Sequence, residues 1–526
     1  MLIKQEQDEI QTFLADASNT AGGRAERVLF PESAEEVARA LAEAARAGTP
    51  VTVAGAGTGI VGGRVPYGGA VLSTARLNRV GEFVRETWGG GHATAGAGVV
   101  LSDFQREAKA RGLLYPPDPT EGSCYIGGTV ATNASGARTF KYGPTRAYVR
   151  ALQVALTTGD LLEIRRGELF AGADGTVKIP LGGGRKIEAR LPTYTMPATR
   201  KHAAGYYTQP GMDLIDLFVG SEGTLGVVTE AELSLLPQPE GVLSGVVFFR
   251  EEENLLAFVR EARERSLKTR AGETREHDER MARGEEFDNE DDYWIPMGID
   301  ARALEYFDGE ALNFLRERYP LVPLGAAGAV FFEQETTAST EDNLGIAWLS
   351  YLQRHKAMED ESWFGTNEHD RAEMRAFRHA LPVMVNEWLG RRGQRKVSTD
   401  MAVPDAAFPE MLRFYKETLR AGRLGYVIFG HIGDNHVHVN ILPRDDAEQA
   451  AARETYGRFV ERAVALGGTI SAEHGVGKIK REYLRALYGE RSLREMAELK
   501  RAFDPACVLG RGNVFAEEFL PAPGAN

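Results

Sequence analysis

Cysteine is nearly missing: the 526 residues contain two, Cys124 and Cys507, and no CxxC pair. That excludes a self-contained iron–sulfur cluster, a thiolate zinc finger and a disulfide framework, leaving at most one disulfide. Long apolar runs are missing too, since no stretch approaches the ~18 residues that a spanning helix needs. Basic residues do not predominate: 62 Lys and Arg against 75 Asp and Glu give a net charge of −13. Such a balance disfavours a nucleic-acid footprint or a patch for anionic membranes. The opening MLIKQEQDEIQTFLADA has acidic and amide residues where a signal peptide places its apolar core, so the expected compartment is the cytoplasm. GxSxG is absent, which removes the usual serine-hydrolase signature.

What is present points to a ligand-binding enzyme. Hydrophobic residues at 43% and charged residues at 26% suit soluble domains, and ~150 residues per domain predicts roughly two to four units. The 59 glycines are clustered, as expected where backbone must approach a ligand closely. SAEEVARALAEAARAG at 33–48 predicts a capped amphipathic helix ending at Gly48. A strand from Val51 to Val53 then runs into Gly55, Gly57, Gly59, Gly62 and Gly63, whose N–H groups could cradle an anion; a bulged loop is the alternative. This is not the dinucleotide fingerprint, because GGAVLSTARLNRV continues strand-like where a Rossmann helix would open. A second glycine stretch at 115–143 implies a long, two-ended ligand, and a third at 219–237 turns into a strand.

Up to Pro237 the mixture is that of an α+β cofactor domain. We set the first domain at 1–240 and a second domain, which the resemblance described below implies is a substrate-binding cap, at 241–470. Residues 270–295 read as a charged, solvent-exposed excursion within the latter. In the second domain MGIDARALEYF reads as a helix start, while AGAVFFEQET and RLGYVIFGHIGDNHVHVNILP read as strands of an antiparallel sheet flanked by helices. Neither repeats nor low-complexity tracts occur.

Four of the ten histidines, His431, His436, His438 and His474, lie between positions 431 and 474. Alternation puts His436, His438, Asn440 and Leu442 on one strand face, with Val437, Val439 and Ile441 on the other. Glu473 and His474 follow in SAEHGVGK, read as a strand-to-loop transition. Two or three imidazoles plus a carboxylate form the ligand set of an open catalytic metal site, zinc first, manganese or iron(II) as alternatives. Buried histidines satisfied by carbonyls are the competing reading. Arg378 sits on a probable helix with Met374, Phe377 and Leu381 on its apolar side, where a solvated arginine is the default.

Taken together, AGAGTGIVGG, PPDP, IGGTVATNASG, KYGPTR, GSEGTLGVVTE, GHIGDNHVHVN and SAEHGVGK stand in one order between residues 54 and 478, within a likeness that runs from PESAEEVARAL at 31 to FDPACVLG, ending at 510. In that order the chain resembles the FAD-linked oxidases and dehydrogenases of the vanillyl-alcohol oxidase and p-cresol methylhydroxylase (PCMH) superfamily. More narrowly it is similar to the branch of D-lactate dehydrogenases, glycolate oxidase flavoprotein subunits and D-2-hydroxyglutarate dehydrogenases. The resemblance implies a two-subdomain PCMH-type FAD-binding domain plus the cap domain. It further implies that 471–526 is a C-terminal segment completing the active site and returning to the FAD domain.

The resemblance also implies that the FAD pyrophosphate is held by Ala54, Gly55, Ala56, Gly57, Thr58, Gly59 and Gly63. Pro119, Gly127, Asn133, Gly136 and Val228 would line the path from adenine to isoalloxazine, and no tethering histidine is evident, so FAD is expected to be non-covalent. His431, His438 and Glu473 would bind a divalent metal, with His474 as base, Asn440 bordering the substrate and Arg378 holding a carboxylate. The implied reaction is oxidation of a D-lactate-like 2-hydroxy acid by hydride transfer to flavin N5. Three departures bear on this. Ser398 replaces a lysine of hydroxyglutarate-specific relatives, which favours a monocarboxylate. Asn435 and His436 stand where relatives have Gly and Asn, making His436 an extra ligand or a substrate contact. Gly510, Arg511, Gly512 and Asn513 replace Asn-Pro-Gly-Lys.

Electrons must then leave to a quinone, a cytochrome, an electron-transfer flavoprotein, a partner subunit or oxygen, with a peripheral membrane position open through that acceptor. Two alternatives of other classes are a metal-dependent hydrolase using His431, His438 and Glu473, and a catalytically idle flavoprotein subunit. The intact AGAGTG and SAEHGVG argue against the second.

Overall fold

The computed structural model describes residues 1–272, 298–365 and 367–522. Ser33 is extended and its hydroxyl accepts from the Glu36 N–H at 3.3 Å, while Gly48 closes the helix at φ 60°, so the first long helix is Ala34–Ala47. Its buried face is Val37, Ala38, Leu41 and Ala44. The helix connects Arg27–Phe30 to Val51–Ala54, which flank Ala70–Ser73 in parallel, and Leu2–Lys4 adds an antiparallel edge. A second, antiparallel sheet runs Val80–Arg85, Gly91–Gly96, Val227–Pro237, Val149–Ala155, Leu161–Arg165 in spatial order. Leu29, Leu41, Leu72, Ala97, Ala155, Val227 and Leu509 share one apolar core, tying both sheets and the C-terminal segment together.

These elements belong to one compact unit, Met1–Gly136, Gly143–Gln238 and Ala463–Asn526; Ala137–Tyr142 and Pro239–Arg462 form the other. The sequence reading places its divisions at 240/241 and 470/471.

The second unit is built on a seven-stranded antiparallel sheet. Its order is Trp363–Gly365, Gly241–Phe249, Gly328–Thr336, Ala301–Asp308, Tyr426–Gly430, His438–Ile441, Val397–Ser398. MGIDARALEYF, expected to start a helix, instead runs into the strand Ala301–Asp308, all of it buried. Ala, Leu and Glu favour helix locally, but pairing with neighbours on both sides overrides a propensity worth only a few tenths of a kcal/mol per residue. The helix begins one residue later, at Gly309–Arg316, where Asp308 caps it by accepting from the Ala311 N–H at 2.8 Å. Of the charged stretch 270–295, all but the first three residues lie outside the described residues. Cys124 and Cys507 are both free thiols. No helix among the described residues is long and apolar enough to cross a membrane.

Helix Glu368–Gly390 buries Met374, Phe377 and Leu381 against this sheet. The Phe377 ring meets Phe307, Tyr319 and Trp363 at centroid distances of 5.3, 5.1 and 5.1 Å. Phe377→Ala should therefore cost about 3–5 kcal/mol, read as a lower urea midpoint by tryptophan fluorescence; an unchanged midpoint would contradict this packing.

Candidate functional site

In the first unit the strand Val51–Ala54 delivers Gly55 to Gly59 onto a cleft of about 350 Å³. A Cβ at Gly55 or Gly59 would meet nothing within 4 Å, and Gly57 is left-handed at φ +86°. The backbone is thus open to a close-lying anion. Ala56, Thr58, Gly63, Pro119, Gly127 and Val228 line the same cleft. Ala54, Asn133 and Gly136 are not among its lining residues. Ala54 is the buried end of its strand. Asn133 terminates helix Ile126–Thr132 at φ 50° and accepts from the Arg146 N–H at 3.0 Å. Gly136 packs tightly enough that a Cβ would lie 2.1 Å from the Asp118 carbonyl oxygen. The altered C-terminal motif still reaches this loop: Asn513 Nδ2 donates to the Gly63 carbonyl at 3.0 Å. Lys478 Nζ donates to Asn513 Oδ1 at 2.7 Å and to Gly63 at 3.2 Å. Burial pulls the Lys478 ammonium down to about 8.

Glu473 and His474 also line the cleft, in a loop that follows helix Asp446–Ala465 rather than at the expected strand end. Glu222, left-handed at φ 53°, holds that loop by accepting from Val476 N–H at 2.6 Å and Gly477 N–H at 2.7 Å. Burial raises the Glu222 carboxyl, and those two bonds oppose the rise. Glu473 Oε2 accepts from Lys201 Nζ at 3.1 Å and Ser135 Oγ at 3.2 Å, and the Lys201 side chain is fully buried. Glu473 Oε1 lies 3.5 Å from His474 Nε2.

The second unit holds the other histidines. His431 follows strand Tyr426–Gly430 and begins a turn that ends at Asn435, left-handed at φ 52°. Asn435 is pinned by Asp405 at 2.6 Å and Arg263 at 2.8 Å. Strand His438–Ile441 carries His438 and Asn440 on one face, and all four of its residues are buried. The rings of His431, His436 and His438 have centroids 4.6–5.4 Å apart, and one nitrogen of each lies within 4.8 Å of the others. His431 Nδ1 is 2.6 Å from Glu305 Oε1, and His438 Nδ1 is 3.1 Å from the Thr399 carbonyl. An acceptor at Nδ1 places the hydrogen there in neutral imidazole, so both rings carry their lone pair on Nε2. His436 Nε2 instead lies 3.1 Å from Asp400 Oδ1, both side chains fully buried. The Asn440 amide, 1% exposed, has neither its nitrogen nor its oxygen hydrogen-bonded among the described residues.

Arg378 Nε donates to Glu305 Oε2 at 3.0 Å, and its side chain is 12% exposed, so it is not the solvated helix arginine that spacing alone suggests. Beside it Glu333 receives Arg302 Nε at 2.8 Å and Arg138 Nε at 3.3 Å. Burial would raise this carboxyl, but Arg138, Arg302 and Arg378 outweigh burial and hold it at about 2. Sequence reasoning selects none of Glu305, Lys201, Asp400 or Glu222. The signal for Glu305 is an acidic residue inside an otherwise apolar strand, hidden by the helical reading of that segment; Lys201 carries no signal of its own.

Comparison with known proteins now bears on what occupies this cleft. Residues 25–165 match the model of the FAD binding domain, and residues 295–514 that of FAD linked oxidases, C-terminal domain. The chain is 30% identical over 502 residues to a D-lactate dehydrogenase of Anaerostipes hadrus, covering 93% of this chain and 90% of the relative. The chain belongs to the FAD-linked oxidase family. It is 28% identical to the glycolate oxidase subunit GlcD of Bacillus subtilis (strain 168) over 516 residues, 96% of this chain and 92% of that one. A D-2-hydroxyglutarate dehydrogenase of Xanthomonas citri pv. viticola is 27% identical over 507 residues, 94% and 90%. The fold is that of an alkyldihydroxyacetonephosphate synthase structure, at a TM-score of 0.62 and 15% identity over 97% of this chain and 82% of the other. The protein is therefore a flavoprotein oxidoreductase with a PCMH-type FAD domain.

Lys478 supplies a pH prediction for the cofactor. Its proton leaves as pH rises through about 8, removing a positive charge beside the glycine loop. FAD affinity, measured by flavin fluorescence titration, should fall as pH passes upward through that value and lose this step in Lys478→Gln. An identical step in the variant would assign the effect elsewhere.

Proposed function

We propose that this flavoprotein oxidises a small D-2-hydroxy acid, lactate-like in length, to the 2-oxo acid with the help of a divalent metal. The observation that carries the reading is the pair of buried imidazoles, His431 and His438, each with Nδ1 engaged, on the same sheet as the unsatisfied amide of Asn440. Two fixed Nε2 lone pairs suit zinc, with manganese or iron(II) as alternatives. Glu473 is the third ligand that the sequence resemblance implies; Lys201 and Ser135 engage its Oε2. The metal would supply Lewis acidity that makes the substrate hydroxyl easier to deprotonate. Bound FAD supplies the acceptor for the electron pair.

Oxidation removes two electrons and two hydrogens. His474 would take the hydroxyl proton, and FAD, once bound, would supply the acceptor for the α hydrogen and its electron pair. Arg378 grips the substrate carboxylate through its Nη groups while Nε stays on Glu305. Asn440 borders the substrate, and Ser398, small and uncharged, pairs with it across the sheet and supports a monocarboxylate. The relatives named D-lactate dehydrogenase, glycolate oxidase subunit and D-2-hydroxyglutarate dehydrogenase set the range within which the substrate is sought. Reoxidation falls to a separate acceptor: a quinone, a cytochrome, an electron-transfer flavoprotein, a partner subunit or oxygen. The reading keeps the protein cytoplasmic, with peripheral contact at a membrane where that acceptor lies there.

Anaerobic addition of D-lactate to the FAD-loaded protein should bleach the flavin bands, faster than D-2-hydroxyglutarate or glycolate; bands that persist with all three overturn the reading. His474→Ala should keep its FAD and lose about 10²-fold or more in the reduction rate, and a wild-type rate removes His474 as base. Glu473→Gln should lose metal by elemental analysis, whereas full retention takes it out of the ligand set.

A further inference from the structure

We propose that Glu305 is a positioning residue that joins the metal ligand His431 and the substrate-gripping Arg378 into one responsive unit, an inference that rests on the function proposed above. Its two carboxylate oxygens are divided between them: Oε1 takes His431 Nδ1 at 2.6 Å and Oε2 takes Arg378 Nε at 3.0 Å. Glu305 is 3% exposed, and its strand Ala301–Asp308 is paired on both sides, so the carboxylate stands on rigid backbone. Its charge in that setting is held by the guanidinium. Density that Arg378 draws through Oε2 is density that Oε1 no longer offers to the imidazole. Whatever engages the guanidinium is therefore felt at the metal ligand.

Glutamine at 305 cannot reproduce this. Its amide has one acceptor and one N–H side, while both neighbours present N–H groups. If the amide oxygen stays on Arg378, its NH₂ faces His431 Nδ1, and the ring must shift its hydrogen to Nε2 to accept. That tautomer has no lone pair on Nε2 for a metal. If the amide turns round, Arg378 loses its acceptor and the carboxylate grip loosens.

The test uses the full-length FAD-loaded protein and Zn²⁺ in competition with a chromophoric chelator. Glu305→Gln should weaken Zn²⁺ by about 10–100-fold and raise KM for D-lactate, with FAD content retained. Arg378→Lys, although no ligand is touched, should weaken Zn²⁺ by a smaller factor that vanishes when residue 305 is already Gln. Wild-type Zn²⁺ affinity in Glu305→Gln overturns the proposal, as does an Arg378→Lys effect that persists undiminished in the double variant. Should Glu305→Gln fail to fold, wild-type affinity in Arg378→Lys alone overturns it. If the wild-type protein takes up no Zn²⁺ or Mn²⁺, the metal reading of the proposed function fails, and Glu305 is judged on the ring itself. In ¹⁵N-histidine-labelled protein, an Nδ1–H tautomer of His431 that is lost in Glu305→Gln then sustains the positioning role, and the same tautomer in both refutes it.

Discussion

A carboxylate without water keeps its charge only if protein donors and a nearby cation replace the hydration shell. Glu305 meets that requirement with His431 and Arg378, and the second unit repeats the solution around it. Glu333 is held at about 2 by Arg138, Arg302 and Arg378 against the opposing effect of burial. Asp400 lies 3.1 Å from His436 Nε2 with both side chains fully buried. Each pairing fixes the plane of a ring or a guanidinium, so the orientation of the histidines follows from the need to compensate buried charge. Removing one partner of such a pair costs more than the pair contributes, because the other is left charged and dry.

The first unit obeys the same rule with different partners. Lys201, with no exposed side-chain surface, donates to Glu473 at 3.1 Å and to the Gly136 carbonyl at 2.8 Å, joining the loop of Glu473 and His474 to the second glycine stretch. Glu222 does so through backbone, taking the N–H groups of Val476 and Gly477, while Asn513 and Lys478 close on Gly63. Segments remote in sequence thus meet around the cleft, and their glycines are where backbone must pass close to backbone or ligand. Gly477 is the clearest case: a Cβ there would lie 2.2 Å from the Val61 carbonyl oxygen.

Local rules were enough for some of this and could not reach the rest. The helix Ala34–Ala47 was legible because its cap, its apolar spacing and its terminal glycine are all in adjacent residues. The strand running into the glycine loop was legible for the same reason, and the structure delivers that loop to a cleft; the histidines stood out by crowding. Strand Ala301–Asp308 was not, since its residues favour helix and only pairing with segments tens of residues away makes it a strand. With that strand misread, Glu305 could not be placed opposite a histidine 126 residues later. Lys201 and Glu473, separated by 272 positions, are likewise invisible to spacing. His436 shows the limit from the other side. Its departure from the relatives' pattern made it an extra ligand or a substrate contact; the structure places it beside His431 and His438 and adds a buried aspartate 3.1 Å from Nε2, a partner that spacing does not reveal.

Asn440 is the one member of the cluster that the protein's own charges do not explain. A buried amide with neither group bonded costs about 1–3 kcal/mol for each orphaned group, and the sheet keeps that amide at 1% exposure. Such a cost is tolerated where a ligand supplies the missing bonds, and a hydroxy acid offers both kinds, a hydroxyl that can donate and carboxylate oxygens that accept. On the strand Val397–Ser398 the residue in register with it is Ser398, which carries no charge. In the proposed reading a substrate bordered by Asn440 and Ser398 would face a neutral amide and a small hydroxyl, neither of which carries a charge to compensate a desolvated second carboxylate. The proposed preference for a short hydroxy acid over a dicarboxylate therefore rests on a penalty against the longer acid as much as on any contact with the shorter one.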